Sequence, residues 1–138
     1  DGGIVLADRY TTSNMVHQAS KIADEAERNS FLDWLWDLEF VKLGLPVPDM
    51  VIFLDVPPEI SNNLITKRNN KITGGSQKDI HERDREYLMK TYLNACRVAE
   101  KYGWKRIECT YDNCLRSIED INNEIYEYVS KNLMQEVK

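Results

Sequence analysis

A short continuous apolar run, Ile4-Val5-Leu6-Ala7, stops abruptly at Asp8-Arg9-Tyr10, and that junction limits what the chain can fold into. A β-branched run without polar alternation predicts a strand buried on both faces, as in a parallel sheet. Open α/β sheets bind ligands beyond the carboxyl ends of their strands. An acid and a guanidinium at that end therefore suit chemistry, with Asp8 toward a metal or attacking group and Arg9 toward phosphate. The same two residue types also form buried or capping ion pairs, and spacing alone leaves both readings open.

The rest of the chain repeats this alternation. Helical spacing runs from Asn14 to Arg28 (Val16, Ala19, Ile22, Ala23, Ala26). A second helix is expected from Ser30 to Leu43, with Ser30 as N-cap and Asp33 completing a capping-box-like pair. Its apolar residues form two stripes, Phe31, Trp34, Leu35, Leu38 and Val41 on one and Leu32, Trp36, Phe40 and Leu43 on the other. Such a helix is either sandwiched in a core or shared with a partner subunit. Gly44 stops it, and Pro46 and Pro48 prevent its restart. Met50 to Leu54 is a second continuous apolar strand ending in an acid, Asp55. Pro57-Pro58-Glu59 then opens a helix carrying Ile60 and Leu64.

Residues 67–78 hold Lys67, Arg68, Lys71 and Lys78, a Gly74-Gly75 pair and no acid until Asp79. This is either a solvated surface loop or a lid that closes over phosphates. A long helix follows from Glu82 to Tyr102, with Leu88, Tyr92, Ala95, Ala99 and Tyr102 on one face and Gly103 as its C′ residue. Trp104 to Cys109 reads as a third strand. Ser117 and Asp120 cap a last helix whose Ile118, Ile121, Ile125, Tyr128 and Val129 should face inward. Strands alternating with helices predict an α/β domain with a parallel sheet. Three strands make that sheet thin, so residues 1–138 read as a single incomplete domain with a lid segment at 67–81.

Composition narrows the function classes. A chain of 138 residues is one domain or part of one. A net charge of −5 argues against a nucleic-acid partner. No run is long enough for a membrane span, and the start does not resemble a signal peptide. Three cysteines, Cys96, Cys109 and Cys114, without metal-ligand spacing suit a reduced cytoplasmic protein.

Three blocks carry a resemblance. Asp8-Arg9-Tyr10-x-x-Ser13-Asn14-x-x-His17-Gln18 resembles the Asp-Arg-aromatic signature of thymidylate kinases. Leu45-Pro46-x-Pro48-Asp49-x-Val51-Ile52-Phe53-Leu54-Asp55-Val56-x-Pro58-Glu59 resembles that family's next block, and Asp79-Ile80-His81-Glu82-Arg83-Asp84-x-Glu86 resembles the segment after its lid. The blocks occur in family order and at family spacing across nearly the whole chain. The resemblance implies a P-loop NTPase-like three-layer α/β/α fold of nucleoside monophosphate kinase type. It also implies ATP-dependent phosphoryl transfer to dTMP giving dTDP, with Mg2+, in a homodimer expected to pair through the Phe31–Leu43 helix.

By position, Asp8 would help hold Mg2+ or orient groups around the transferred phosphoryl, and Arg9 would clamp the acceptor phosphate. Ser13, Asn14 and Gln18 would lie near the thymine edge, and Asp79, His81 and Glu82 would close on the acceptor's sugar and phosphate. The lid cations Lys67, Arg68, Lys71 and Lys78 would neutralise developing charge.

The chain departs from the family in three ways. It contains no Gly-x-x-x-x-Gly-Lys-Ser/Thr, so it resembles the C-terminal part of such a kinase, lacking the N-terminal part. This chain alone is expected to be inactive. His17 and His81 stand where the family often has aromatic residues against the deoxyribose. Such histidines are either ordinary surface or core residues or nucleotide contacts that make acceptor affinity change between roughly pH 6 and 7.5. Ile80 replaces an arginine or polar residue, so the lid leans on lysines, which lack arginine's planar fork. The alternatives are a related kinase with another acceptor, such as a deoxynucleoside, and a non-catalytic homologue acting as a nucleotide-binding or dimerising scaffold.

Overall fold

The computed structural model describes the backbone of residues 3–69 and 78–133, leaving aside the side chains of 64–69 and 78–84. The chain divides into two compact units. One comprises Asp1–Asp49 with Glu86–Tyr102, the other Met50–Arg85 with Gly103–Lys138.

The first unit is helical. Helix α1 spans Thr12–Ala19 and α2 spans Glu25–Trp36, continuing through a π-helical turn at Asp37–Lys42. The last turns of α4 (Lys78–Lys101) complete the unit. Its core holds Met15 and Ala19 of α1, Leu32 and Leu35 of α2, Phe40, and Ala95, Val98 and Ala99 of α4. Trp36 stacks on Tyr102 with ring centroids 5.0 Å apart and lies 4.6 Å from Phe40. Lys101 pairs with Asp33 at 2.8 Å, so the end of α4 is joined to α2 by both rings and charge.

The continuous helix expected over residues 14–28 is two helices. Ser20 donates its hydroxyl to the His17 carbonyl, and the Asp24 carboxylate accepts from the Glu27 amide as the N-cap of α2. A capping aspartate offers the backbone a better arrangement than helix continuation does. Ser30, expected as an N-cap, lies inside α2, where its hydroxyl bonds the Ala26 carbonyl. Arg28 is buried because its guanidinium reaches back to the carbonyls of Ile22 and Ala23 in the linker. The π turn ends as expected at Gly44, whose φ of +64° suits glycine.

The second unit carries the sheet. Strands β1 (Ile52–Asp55) and β2 (Lys105–Glu108) pair in parallel, with Ile52 opposite Lys105 and Asp55 opposite Glu108. A parallel pair needs a long crossover, and α3 (Pro58–Asn69) and α4 lie between the strands in sequence. Pro57 accepts from the amides of Ile60 and Ser61, so α3 starts where the prolines predict. The short strands β3 (Thr110–Tyr111) and β4 (Cys114–Leu115) form a hairpin turned by Asp112 and Asn113, both at positive φ. Helix α5 (Ile118–Leu133) is capped by Ser117, whose hydroxyl accepts from the Asp120 amide at 3.1 Å.

Two further expectations need correction. Ile4–Ala7 is not a strand: Ile4, Val5 and Leu6 are 65, 91 and 94 % exposed. A continuous apolar run becomes a buried strand only with ladder partners, and none among the described residues pairs with it. In α5, Ile118 is exposed rather than inward, whereas Ile121, Ile125, Tyr128 and Val129 are half-buried.

Candidate functional site

Helix α1 separates its residues by period. Thr12, Met15 and Ala19 point into the core, which leaves Ser13, Asn14, His17 and Gln18 together on the opposite, accessible face. The core side is held by Asn94 of α4, itself buried, whose amide nitrogen donates to the carbonyls of Met15 at 3.0 Å and Val16 at 2.7 Å. The polar face is thus presented by a helix pinned from behind.

Asp8 and Arg9 lead into this helix and are exposed. Arg9 has a φ of +68°, a left-handed conformation that costs a non-glycine residue roughly 1–2 kcal/mol. Its Nε donates to the Ser13 hydroxyl at 3.2 Å. Among the described residues its Nη1 and Nη2 make no hydrogen bond, so that edge of the fork is open for an anion. Tyr10 ties the same corner to the loop after α2 by donating its hydroxyl to the Pro46 carbonyl. Backbone strain held by such anchors is a feature of ligand sites.

The remaining polar residues have assigned partners. Asn14 donates Nδ2 to Glu39 Oε1 at 2.9 Å. Gln18 accepts from Lys21 at 2.7 Å, and His17 Nδ1 lies 3.4 Å from the Tyr87 hydroxyl. An open groove of about 260 Å³ between α2 and α4, lined by Arg28, Leu32, Asn94 and Arg97 among others, shares no residue with this face. Its mixed charges suit solvent rather than one ligand class. Among the described residues no three His, Cys, Asp or Glu side chains gather as a metal site, and no helix is long and apolar enough to cross a membrane.

Curated proteins match this chain over most of its length. A probable thymidylate kinase of Thermococcus onnurineus strain NA1 is 31 % identical over 134 residues, covering 97 % of this chain and 55 % of the relative. The chain is a thymidylate kinase homologue. Thymidylate kinases of Mycobacterium tuberculosis (31 % identity, 73 % of this chain and 46 % of theirs) and Schizosaccharomyces pombe (28 %, 94 % and 52 %) agree. The chain spans about half the length of these curated relatives. No family model and no solved structure matches it.

The thymidylate kinase resemblance named six positions around α1, and the structure brings together Arg9, Ser13, Asn14, His17 and Gln18, with Asp8 adjoining. Asp79, His81, Glu82 and Lys78 fall in the first turns of α4, and Lys67 and Arg68 at the end of α3, but their side chains lie outside the described residues. So does Lys71, along with most of the lid segment. Glu39 was not among the expected residues. Its signal was present in the sequence: it continues the Leu32, Leu35 spacing of the buried stripe, where a carboxylate is out of place.

Burial, and then the charges of Arg9 and Lys21, hold the His17 imidazole below its ordinary value. The unfolded chain therefore binds more protons here than the folded one as pH falls below about 6.5. His17's contribution to stability is complete above that pH and is lost toward the lowered folded value. Thermal melts from pH 5 to 7.5 should show a decline on the acid side that His17→Gln reduces. Identical pH profiles for the two proteins would exclude the effect.

Proposed function

We propose that this chain supplies the acceptor side of a thymidylate kinase, the part that receives dTMP for phosphoryl transfer from ATP. The observation that carries this reading is the strained Arg9 at the head of α1, its Nη edge open beside the polar face of Ser13, Asn14, His17 and Gln18. Homology to thymidylate kinases supports the substrate pair. The dTMP phosphate would dock on Arg9 and the base along Asn14 and Gln18. Asp79, His81 and Glu82 would meet the sugar and phosphate, and Lys67, Arg68, Lys71 and Lys78 would serve as the lid within 67–81. Phosphoryl transfer asks mainly for positioning and charge neutralisation, and every residue in this set does one or the other.

Mg2+ fits what is present, because it binds through one or two carboxylates together with substrate phosphates rather than in an all-protein cage. Asp8, a single exposed carboxylate beside Arg9, suits that mode. When bound, the ion would neutralise charge on the transferred phosphoryl.

The same reading takes β1 and β2 as part of a larger P-loop-type three-layer sheet in one domain of a cytoplasmic enzyme. It assigns the exposed Trp34, Val41 and Leu43 to a homodimer interface. A single-chain mass in solution at all concentrations would reject the dimer.

Calorimetric titration of the complete protein with dTMP, UMP and thymidine tests the function. Selective binding of dTMP, with ATP-dependent formation of dTDP, is the expected result. Preference for thymidine would move the activity to nucleoside phosphorylation, and binding of none would reject the acceptor role.

A further inference from the structure

Glu39 is only 5 % exposed, yet it is a carboxylate. It sits in the π-helical turn Asp37–Lys42, where the Leu43 amide reaches back to the Leu38 carbonyl. Such turns are frequent at functional sites. Burying a carboxylate costs several kcal/mol unless partners offset it. Here one oxygen, Oε1, accepts from Asn14 Nδ2, while Oε2 is buried without a protein partner among the described residues. Leucine would fill the stripe of Leu32 and Leu35 at no such cost, so stability does not account for the residue.

Chemistry at Asn14 does. A carboxylate only accepts hydrogen bonds, so Glu39 can hold Asn14 by its NH2 and not by its carbonyl. Asn14 is exposed, and among the described residues Oδ1 is left as the open end of its amide. An unrestrained asparagine presents donor or acceptor by rotating half a turn; this one is set to accept. The N3–H of thymine is a donor, whereas N3 of cytosine is an acceptor. We infer that Glu39 is a positioning residue that locks the Asn14 amide as an acceptor and so selects a base bearing an N3–H. The inference rests on the proposed acceptor role of the α1 face.

The test compares kinetics of the complete protein, wild type and variants, with dTMP and dCMP as acceptors. Glu39→Leu is expected to raise KM for dTMP about tenfold, the upper worth of the neutral hydrogen bond between Asn14 and the base that it misaligns, with kcat within about twofold. The dTMP-over-dCMP ratio of kcat/KM should fall by a similar factor, while Tm holds or rises. Glu39→Asp, one methylene too short to reach Asn14, is expected to reproduce the KM rise and carries the test if the leucine variant does not fold. Glu39→Gln can hold Asn14 by either end of its amide, so it should keep the contact yet lose much of the dTMP-over-dCMP discrimination. KM and discrimination unchanged in the leucine and aspartate variants would overturn the inference, as would a glutamine variant that discriminates as well as the wild type. A wild-type protein that does not use dTMP would instead reject the acceptor role itself.

Discussion

Arg9→Ala is expected to lower kcat/KM for dTMP phosphorylation by about 10³ in the complete protein, the scale on which a positioned charge stabilises transferring phosphate. Arg9→Lys should recover only part, because a point charge cannot replace a planar fork. The left-handed backbone at Arg9 adds a second readout. Arg9→Gly relieves the strain of a side chain at positive φ, so it should raise stability by roughly 1 kcal/mol while abolishing activity. Steady-state kinetics and denaturant melts on the three variants separate the effects. A loss in Arg9→Ala of less than tenfold would show that Arg9 does not hold the acceptor phosphate.

Arg106→Ala is expected to destabilise the sheet-bearing unit by about 3 kcal/mol. Asp55, at the end of β1, is 4 % exposed, and its Oδ2 is gripped by the Nε and Nη2 of Arg106 on the neighbouring strand. The other oxygen, Oδ1, is buried without a protein partner among the described residues. Truncating the arginine leaves a carboxylate that water reaches poorly and that no other described residue pairs with. Asp55→Ala in the same background should recover most of the loss, because the uncompensated charge is then gone. Urea unfolding of the single and double variants measures this, and additive losses would show that the two side chains are not coupled.

Local chemistry made many elements readable in the chain. Pro58 and Ser117 begin helices, Gly44 and Gly103 follow helix ends at positive φ, β1 forms in the apolar run Met50–Leu54 and its acid Asp55, and β2 lies within the strand expected over Trp104–Cys109. Each depends on a residue's own backbone preference or on partners a few positions away. The polar face of α1 was legible for the same reason, since the period of a helix alone puts residues 13, 14, 17 and 18 together. The two-striped helix was half legible: Leu32 and Phe40 are buried, but so is Leu35 from the other stripe, and Trp36 spends its ring on Tyr102.

Contacts distant in sequence were not legible. Ile4–Leu6 has the composition of a buried strand and is exposed, because a strand exists only through the neighbours that complete its ladder. The break at Ser20–Asp24 turned on whether Asp24 would cap a new helix or remain in an old one, and the buried Arg28 that stitches the linker settled it. Which amide face Asn14 presents depends on Glu39, 25 positions away. The order of residues along this chain therefore decides where its helices start and which polar groups share a face. What each of those groups is free to do is decided by side chains that only folding brings within hydrogen-bonding distance.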